Sequence, residues 1–392
     1  MSIPLTDTAA RSALSPMLIV VLAETFGATL LWALLMAEST PLVLALVAVM
    51  GAGFALIQLR PQIEEATVAA FRSCRQTAAV LGIAIVLIYP FFLGANTYAL
   101  HLVILALLYS VLALALNFQL GSANIPNFAT GATYGIGAYT SALLAINFGL
   151  SLWATLPAAA LVATAFGFLL GIPSMRARDS YLALVTIAFG IVIHQMLNNL
   201  SWTGGPNGLV GIPAPTLFGH SFMQPIVILG FRLPSQANFY YLAVSLLGVA
   251  ILSAKRLHES RIGLAWNAIR ADELAARCQG INVAWYKILA FAVDAFLAAF
   301  AGTIYAFYVS YISPDNFTFL VSVTIMTMVI VGGMDNTFGV IVGAFLLTLL
   351  PEKLRIFSDY RLLFVSVVVI LFLVLRPKGL FPQRQRHYGA HP

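Results

Sequence analysis

Apolar residues in this chain run in long unbroken blocks rather than in the two-residue alternation of a half-buried strand. Residues 77–95 (TAAVLGIAIVLIYPFFLGA) and 361–375 (RLLFVSVVVILFLVL) are examples. A bilayer core of ~30 Å takes about 20 apolar residues in a helix. Backbone groups in lipid must pair within their own segment, so blocks this apolar predict spanning helices and not barrel strands. Twelve segments are expected, near 17–36, 42–59, 77–95, 97–117, 132–148, 152–172, 181–199, 239–254, 288–308, 322–333, 336–350 and 361–375. The expected fold is an all-α polytopic membrane protein, a bundle of about 10–12 transmembrane helices with short broken or re-entrant segments.

Two interruptions stand out. Residues 118–131 (FQLGSANIPNFATG) and 332–339 (GGMDNTFG) place glycine, proline and polar side chains between apolar runs. Broken backbone at membrane depth is tolerated only where it is buried in protein or lines a cavity, and such breaks point to a transport path. Asn124, Asn127, Gly332, Gly333 and Asp335 are therefore candidates for the translocation path, against turns at the membrane surface. Glycine pairs at four-residue spacing (131/135, 167/171 and 339/343) read as helix-packing faces.

Composition agrees with the pattern. Only 9% of residues are charged and 61% are hydrophobic, against roughly 25% charged in a soluble domain; mean hydropathy is +0.95. The net charge of +6 invites a nucleic-acid reading, but its distribution does not. With 60–76 in the cytoplasm, segments 1–16, 173–180, 255–287 and 376–392 fall there too, and together they hold 16 of the 20 Lys and Arg. That is the positive-inside bias, a mark of topology with both termini cytoplasmic. Cys74 and Cys278 fall in cytoplasmic segments, where a structural disulfide is not expected. Residues 1–76 are expected as peripheral helices and a linker, 77–381 as the core, and 382–392 as a tail.

Isolated polar residues in spans are read conservatively. Glu24 is expected to be structural or to face another subunit, Asp294 to make an ion pair (with Lys287, two turns earlier) or another polar contact, and Asp335 to cap the helix after it. His101 and His194 are expected as hydrogen-bonded interior histidines. No catalytic pattern, metal-ligand spacing or G-x-x-x-x-G-K-[ST] phosphate loop occurs, so no catalytic, metal or cofactor residue is assigned.

The cytoplasmic stretch 259–291 (ESRIGLAWNAIRADELAARCQGINVAWYKILAF) carries the most information. Its middle predicts one amphipathic helix, with Leu264, Ala268, Ala271, Ala275 and Cys278 on one face and Asn267, Arg270, Glu273 and Arg277 on another. Gly280 suits the residue after a helix C-terminus, and Asn282 suits the cap of the next helix. A short helix held between two spanning helices transmits a push to both.

Glu273-x-Ala275-Ala276-x-x-x-Gly280 resembles the EAA---G loop of ABC importer permeases, with one extra residue after the glutamate. The wider chain resembles the LivM-type permeases of branched-chain amino acid ABC transporters. The matching segments include GATYGIGAYTSALLA (131–145), TGGPNGLVGIP (203–213), the 270–306 and 312–344 blocks, and LRPKGLF (375–381). Residues 121–131 depart from it, toward the Asn-Phe-Ala pattern of the companion LivH-type subunit. The resemblance implies an inner-membrane, non-catalytic permease of branched-chain or other neutral amino acids. It implies a second, LivH-like permease, two ATP-binding subunits that hold the ATP, and an extracytoplasmic substrate-binding protein. It assigns ATPase coupling to Arg270, Asp272, Glu273, Ala275, Ala276 and Gly280. A urea or short-amide importer shares the architecture. An ion-coupled secondary transporter would leave the cytoplasmic helix without a task.

Overall fold

A computed structural model describes residues 15–37, 39–59, 67, 69–71, 73–94, 96–175, 179–217, 219–228, 231–353, 361–377 and 379–381. The N-terminal segment before Ser15, most of the 60–76 linker and the tail after Phe381 lie outside the described residues. The chain divides into two compact units, residues 1–99 and 100–392.

The first unit holds α1 (Pro16–Met36), α2 (Thr40–Leu59) and α3 (Arg75–Leu93). Pro16 opens α1 at the position where a missing N–H does no harm. Leu34, Ala37 and Val43 pack at the α1–α2 corner, and Trp32 Nε1 donates to Phe92 O at 3.1 Å. The Glu24 Oε2 is buried without a hydrogen-bond partner.

The second unit begins within α4 (Thr97–Asn117), at Leu100, and α4 ends in a π-helical turn, Phe118–Ser122. There follow α5 (Thr130–Phe148), α6 (Leu152–Ser174), α7 (Asp179–Asn199), α8 (Gln236–Glu259), α9 (Arg261–Ala271), α10 (Glu273–Cys278), α11 (Val283–Val309), α12 (Phe319–Gly332), α13 (Thr337–Lys353) and α14 (Arg361–Leu375). Each of the twelve apolar segments coincides with a helix. Among the described residues eight helices are long and apolar enough to cross a membrane alone; α13 and α14, at 17 and 15 residues, fall short of the ~20 needed.

The core forms around α11, whose 27 residues span about 40 Å at 1.5 Å per residue. Small residues let the backbones close on it. A Cβ at Gly167 would collide with Ala295 and with Phe291 O, one at Gly171 with Ile288, one at Gly137 with Ala299, and one at Gly302 with Tyr134 O. Lipid supplies no hydrophobic drive between helices, so close packing of this kind holds them together. The other two glycine pairs are also packed: 131/135 against Ser322 and Phe317, and 339/343 against Gly332 and Met328.

Irregular segments gather at the two ends of this unit. At one end, β1 (Leu209–Val210) pairs antiparallel with β6 (Tyr311–Ile312). Two hairpins, β2 (Thr216–Leu217) with β3 (His220–Ser221) and β4 (Ile226–Ile228) with β5 (Phe231–Leu233), extend the same excursion. The interior histidines lie toward this end. His101 Nδ1 meets the Tyr308 hydroxyl at 2.7 Å, and His194 meets Pro314 O at 3.2 Å and Asn198 at 3.1 Å. At the other end, Leu380 and Phe381 donate their N–H groups to Val331 O and Gly332 O, close to the π turn and the α8–α10 loop.

Candidate functional site

The loop after α8 is built from caps. Ser260 Oγ accepts the N–H groups of Ile262 and Gly263 at 3.2 and 3.4 Å, starting α9. Gly263 lies against Leu257 O and His258 O, where a Cβ would not fit. One continuous helix over 264–280 does not form. The chain breaks at Asp272, whose Oδ1 accepts from Leu274 N (2.8 Å) and Ala275 N (3.0 Å) and starts α10 afresh. Short acidic side chains compete for backbone N–H groups in this way.

The expected apolar face is also not the buried one. Ala265, Trp266 and Ile269 face inward with Ala276, while Leu264 is 47% exposed and Ala271, Ala275 and Cys278 are exposed. Trp266 decides the orientation: its ring packs on Phe118 and its Nε1 donates to Tyr286 O at 2.9 Å. A glycine–x–x–tryptophan–x–x–isoleucine spacing from 263 to 269 carried that signal in the sequence.

Glu273 joins α10 to α11. One carboxylate oxygen accepts from Lys287 Nζ at 2.8 Å and the other from Arg277 at 2.6 Å. Burial alone pushes this carboxyl up, but the hydrogen bond and charge of Lys287, followed by those of Arg277, outweigh it and hold Glu273 below the usual carboxylate range. Gly280, at φ +82, closes α10 with Ile281 N donating to Ala276 O (3.1 Å) and Gly280 N to Arg277 O (3.0 Å). This is the glycine-terminated Schellman motif. Asn282 Oδ1 then caps α11 by accepting from Trp285 N at 3.1 Å.

Arg270 ties this loop to both interruptions. Its guanidinium donates to Gly121 O at 2.5 Å and to Asp335 Oδ2 at 3.4 Å. Asp335 does not cap α13; Asn336 does, through Gly339 N at 3.1 Å. Asp335 instead sits at φ +67 and accepts from Ser122 Oγ at 2.8 Å, with His258 Nδ1 3.7 Å away. Its own N–H donates to Asn117 Oδ1 at 2.8 Å, an approach that only a residue without Cβ at 121 permits.

The first interruption is largely buried, and several of its polar groups are paired, although both atoms of the Gln119 side-chain amide are buried without a partner. Phe128 N donates to Thr186 Oγ1 and Gly131 N to Ser322 Oγ. Asn127, 1% exposed, donates to Asp294 Oδ2 at 2.8 Å, and Thr130 donates to the same oxygen at 3.1 Å. The Lys287–Asp294 ion pair is not formed, because Lys287 turns to Glu273; Asp294 makes the polar contact instead, and its Oδ1 is buried without a partner. Asn124 is exposed at φ 55, apart from Asn127. Gly332 packs backbone to backbone on Gly339, and Gly333 on Phe381.

A bundle of spanning helices with two polar interruptions inside it, both joined by one arginine to a capped two-helix loop, belongs to a multi-pass membrane permease. The model of the family described as branched-chain amino acid transport system, permease component, matches residues 98–375, and the chain belongs to that family. It is 38% identical to the high-affinity branched-chain amino acid transport system permease protein LivM of Escherichia coli (strain K12), over 307 residues covering 75% of this chain and 72% of the relative. It is 25% identical to the LivH permease protein of the same system and organism, over 69% of this chain and 90% of the relative. It is 31% identical to the ribose import permease protein RbsC of that organism over 140 residues, 34% of this chain and 44% of the relative. No solved structure matches the chain.

Proposed function

We propose that this chain is one of two permease subunits of an ATP-driven importer of branched-chain or other neutral amino acids, partnered by a LivH-like chain, two ATP-binding subunits and an extracytoplasmic binding protein. The loop 260–282 carries the reading. Its inner face is locked to α11 and to both interruptions. Its outer face leaves Leu274 70% exposed, and the first turn of α11 leaves Trp285 52% exposed, apolar surface at a charged end of the bundle that suits a docking partner. The loop end is assigned to the cytoplasm by the positive-inside bias, and the hairpin end to the binding protein.

In this reading, nucleotide-driven closure of the ATPases presses α9 and α10. Asp272 and Ala275 shape the contact, and Ala276, buried on the inner face, packs α10 onto the bundle. Glu273 passes the displacement to α11 through Lys287, and Arg270 passes it to residues 121 and 335. Asn124, Asn127, Gly332, Gly333 and Asp335 are assigned to the path or its immediate wall. ATP is held by the partner subunits and not by this chain.

The test is uptake of labelled leucine, valine and urea by cells carrying Glu273→Lys or Gly280→Val, with membrane insertion followed by immunoblot. Both variants are expected to insert normally and to lose uptake at least tenfold. Wild-type uptake by both variants sinks the coupling assignment, and urea as the sole accumulated solute sinks the amino-acid assignment.

A further inference from the structure

A cavity of about 390 Å³ opens at the loop end of the bundle, between the last turns of α8, the π turn and the start of α13. That volume lies in the range of small-molecule pockets, ~300–1,000 Å³. Lys255 and Glu259 both line it, one helical turn apart. Opposite charges at that spacing on a helix commonly pair, but the lysine-first order is the weaker arrangement. Neither residue is bonded to the other or to any other charged group among the described residues.

Asp335 and His258 line it too, but they lie 3.7 Å from each other and Asp335 is held by Arg270, so the cation and the anion left without an ion pair among the described residues are Lys255 and Glu259. Asn117 adds a donor. It is 7% exposed, its Oδ1 is taken by Asp335 N, and its amide nitrogen donates to no described group. Phe118, Ala254 and Phe338 supply an apolar wall.

We propose that this cavity binds a free α-amino acid with an apolar side chain, its carboxylate on Lys255 and the Asn117 amide, its ammonium on Glu259, and its side chain against Phe118 and Phe338. The chemistry selects the ligand: a single anion or cation would leave one wall charge unmatched, whereas a zwitterion matches both. The inference rests on the importer reading above and adds a station at the end where cargo would be delivered. An occupant would bridge α8 to the Asp335 junction, so its binding reads on the same elements that Arg270 holds.

The test uses the full-length chain co-purified with its partners in nanodiscs, without binding protein, and isothermal titration calorimetry. L-Leucine is compared with 4-methylpentanoate, which lacks the ammonium, and 3-methylbutylamine, which lacks the carboxylate. Saturable leucine binding is expected, weakened at least tenfold by Lys255→Gln, by Glu259→Gln and by either deletion in the ligand. Both side chains are exposed, so the variants are expected to elute as intact complex. Leucine binding that both variants leave unchanged overturns the site while the importer reading stands, as does absence of binding beside normal leucine uptake. An aminophospholipid headgroup carries the same two charges; leucine binding found only in discs free of phosphatidylethanolamine assigns the cavity to lipid and overturns the proposal. ATP-driven uptake of urea alone, with no leucine binding, overturns both readings.

Discussion

Glu273 fastens the loop to α11 through one carboxylate. Lys287 is 8% exposed at its side chain and Glu273 32%, so the pair lies at the edge of the packed region. Removing the carboxylate strands a nearly buried ammonium. Glu273→Ala is expected to destabilise by up to about 3 kcal/mol, the low end for broken buried pairs because the glutamate is partly hydrated; thermal unfolding in detergent measures it. The pH dependence has a definite sign. A carboxyl held low in the folded chain contributes fully above the ordinary carboxylate range, and that contribution is lost as pH falls through the lower folded value. Below about pH 4 the wild type should therefore lose melting temperature more steeply than Glu273→Ala; parallel acid profiles would remove the pair from the stability account.

Among the elements, the seam between α11 and the 123–130 segment depends on a single carboxylate oxygen serving two donors. Asp294→Asn keeps an acceptor there and should keep the fold. Asp294→Ala removes the acceptor of the Thr130 hydroxyl and the shorter of the two bonds of the Asn127 amide nitrogen, which keeps a 3.4 Å contact to Thr130 Oγ1, and should cost about 1–3 kcal/mol in a dry site, read as a lowered melting temperature. Equal stability of the two variants would show the seam to be held by packing alone. The elements differed in how far the sequence revealed them. The glycine pairs were legible because small residues at four-residue spacing mean the same thing wherever they occur in lipid. The two interruptions were legible because Gly, Pro and Asn stop apolar periodicity. The caps at Gly280 and Asn282 followed from local chemistry. Asp272 was not legible as a break, since its neighbours are good helix formers and only the backbone geometry shows the cap winning. The buried face of α9 was missed because small alanines gave a false stripe, while Trp266 found its partners in the π turn and α11. The contacts of Asp294 with Asn127 and of Asp335 with Ser122 join residues more than 150 positions apart, a range over which local pattern carries nothing.

At the scale of the whole molecule, the loop, both interruptions and the residue 379–381 segment meet at one end of the second unit, and the hairpin excursion lies at the other. Under the proposed importer reading, a nucleotide-dependent change at the loop should be detectable at the hairpins. With Cys74 and Cys278 replaced by serine, spin labels at Val210, 71% exposed, and Phe148, 73% exposed, should change separation when nucleotide is added to the assembled complex, measured by pulsed electron resonance. An unchanged distribution during active uptake would confine the motion to the loop end.

That expectation comes from the continuity of α11. It runs without a break from the Asn282 cap to Ser310, and the next two residues are the strand that pairs with Leu209 and Val210. No hinge separates the two ends, and glycine contacts along its length clamp it sideways against α5 and α6. Such a strut can slide or rotate only as one body. The two faces of the membrane are thereby geared to each other at a fixed ratio, and a lone glycine or proline inserted midway along α11 would act as a clutch, letting one side turn while the other idles.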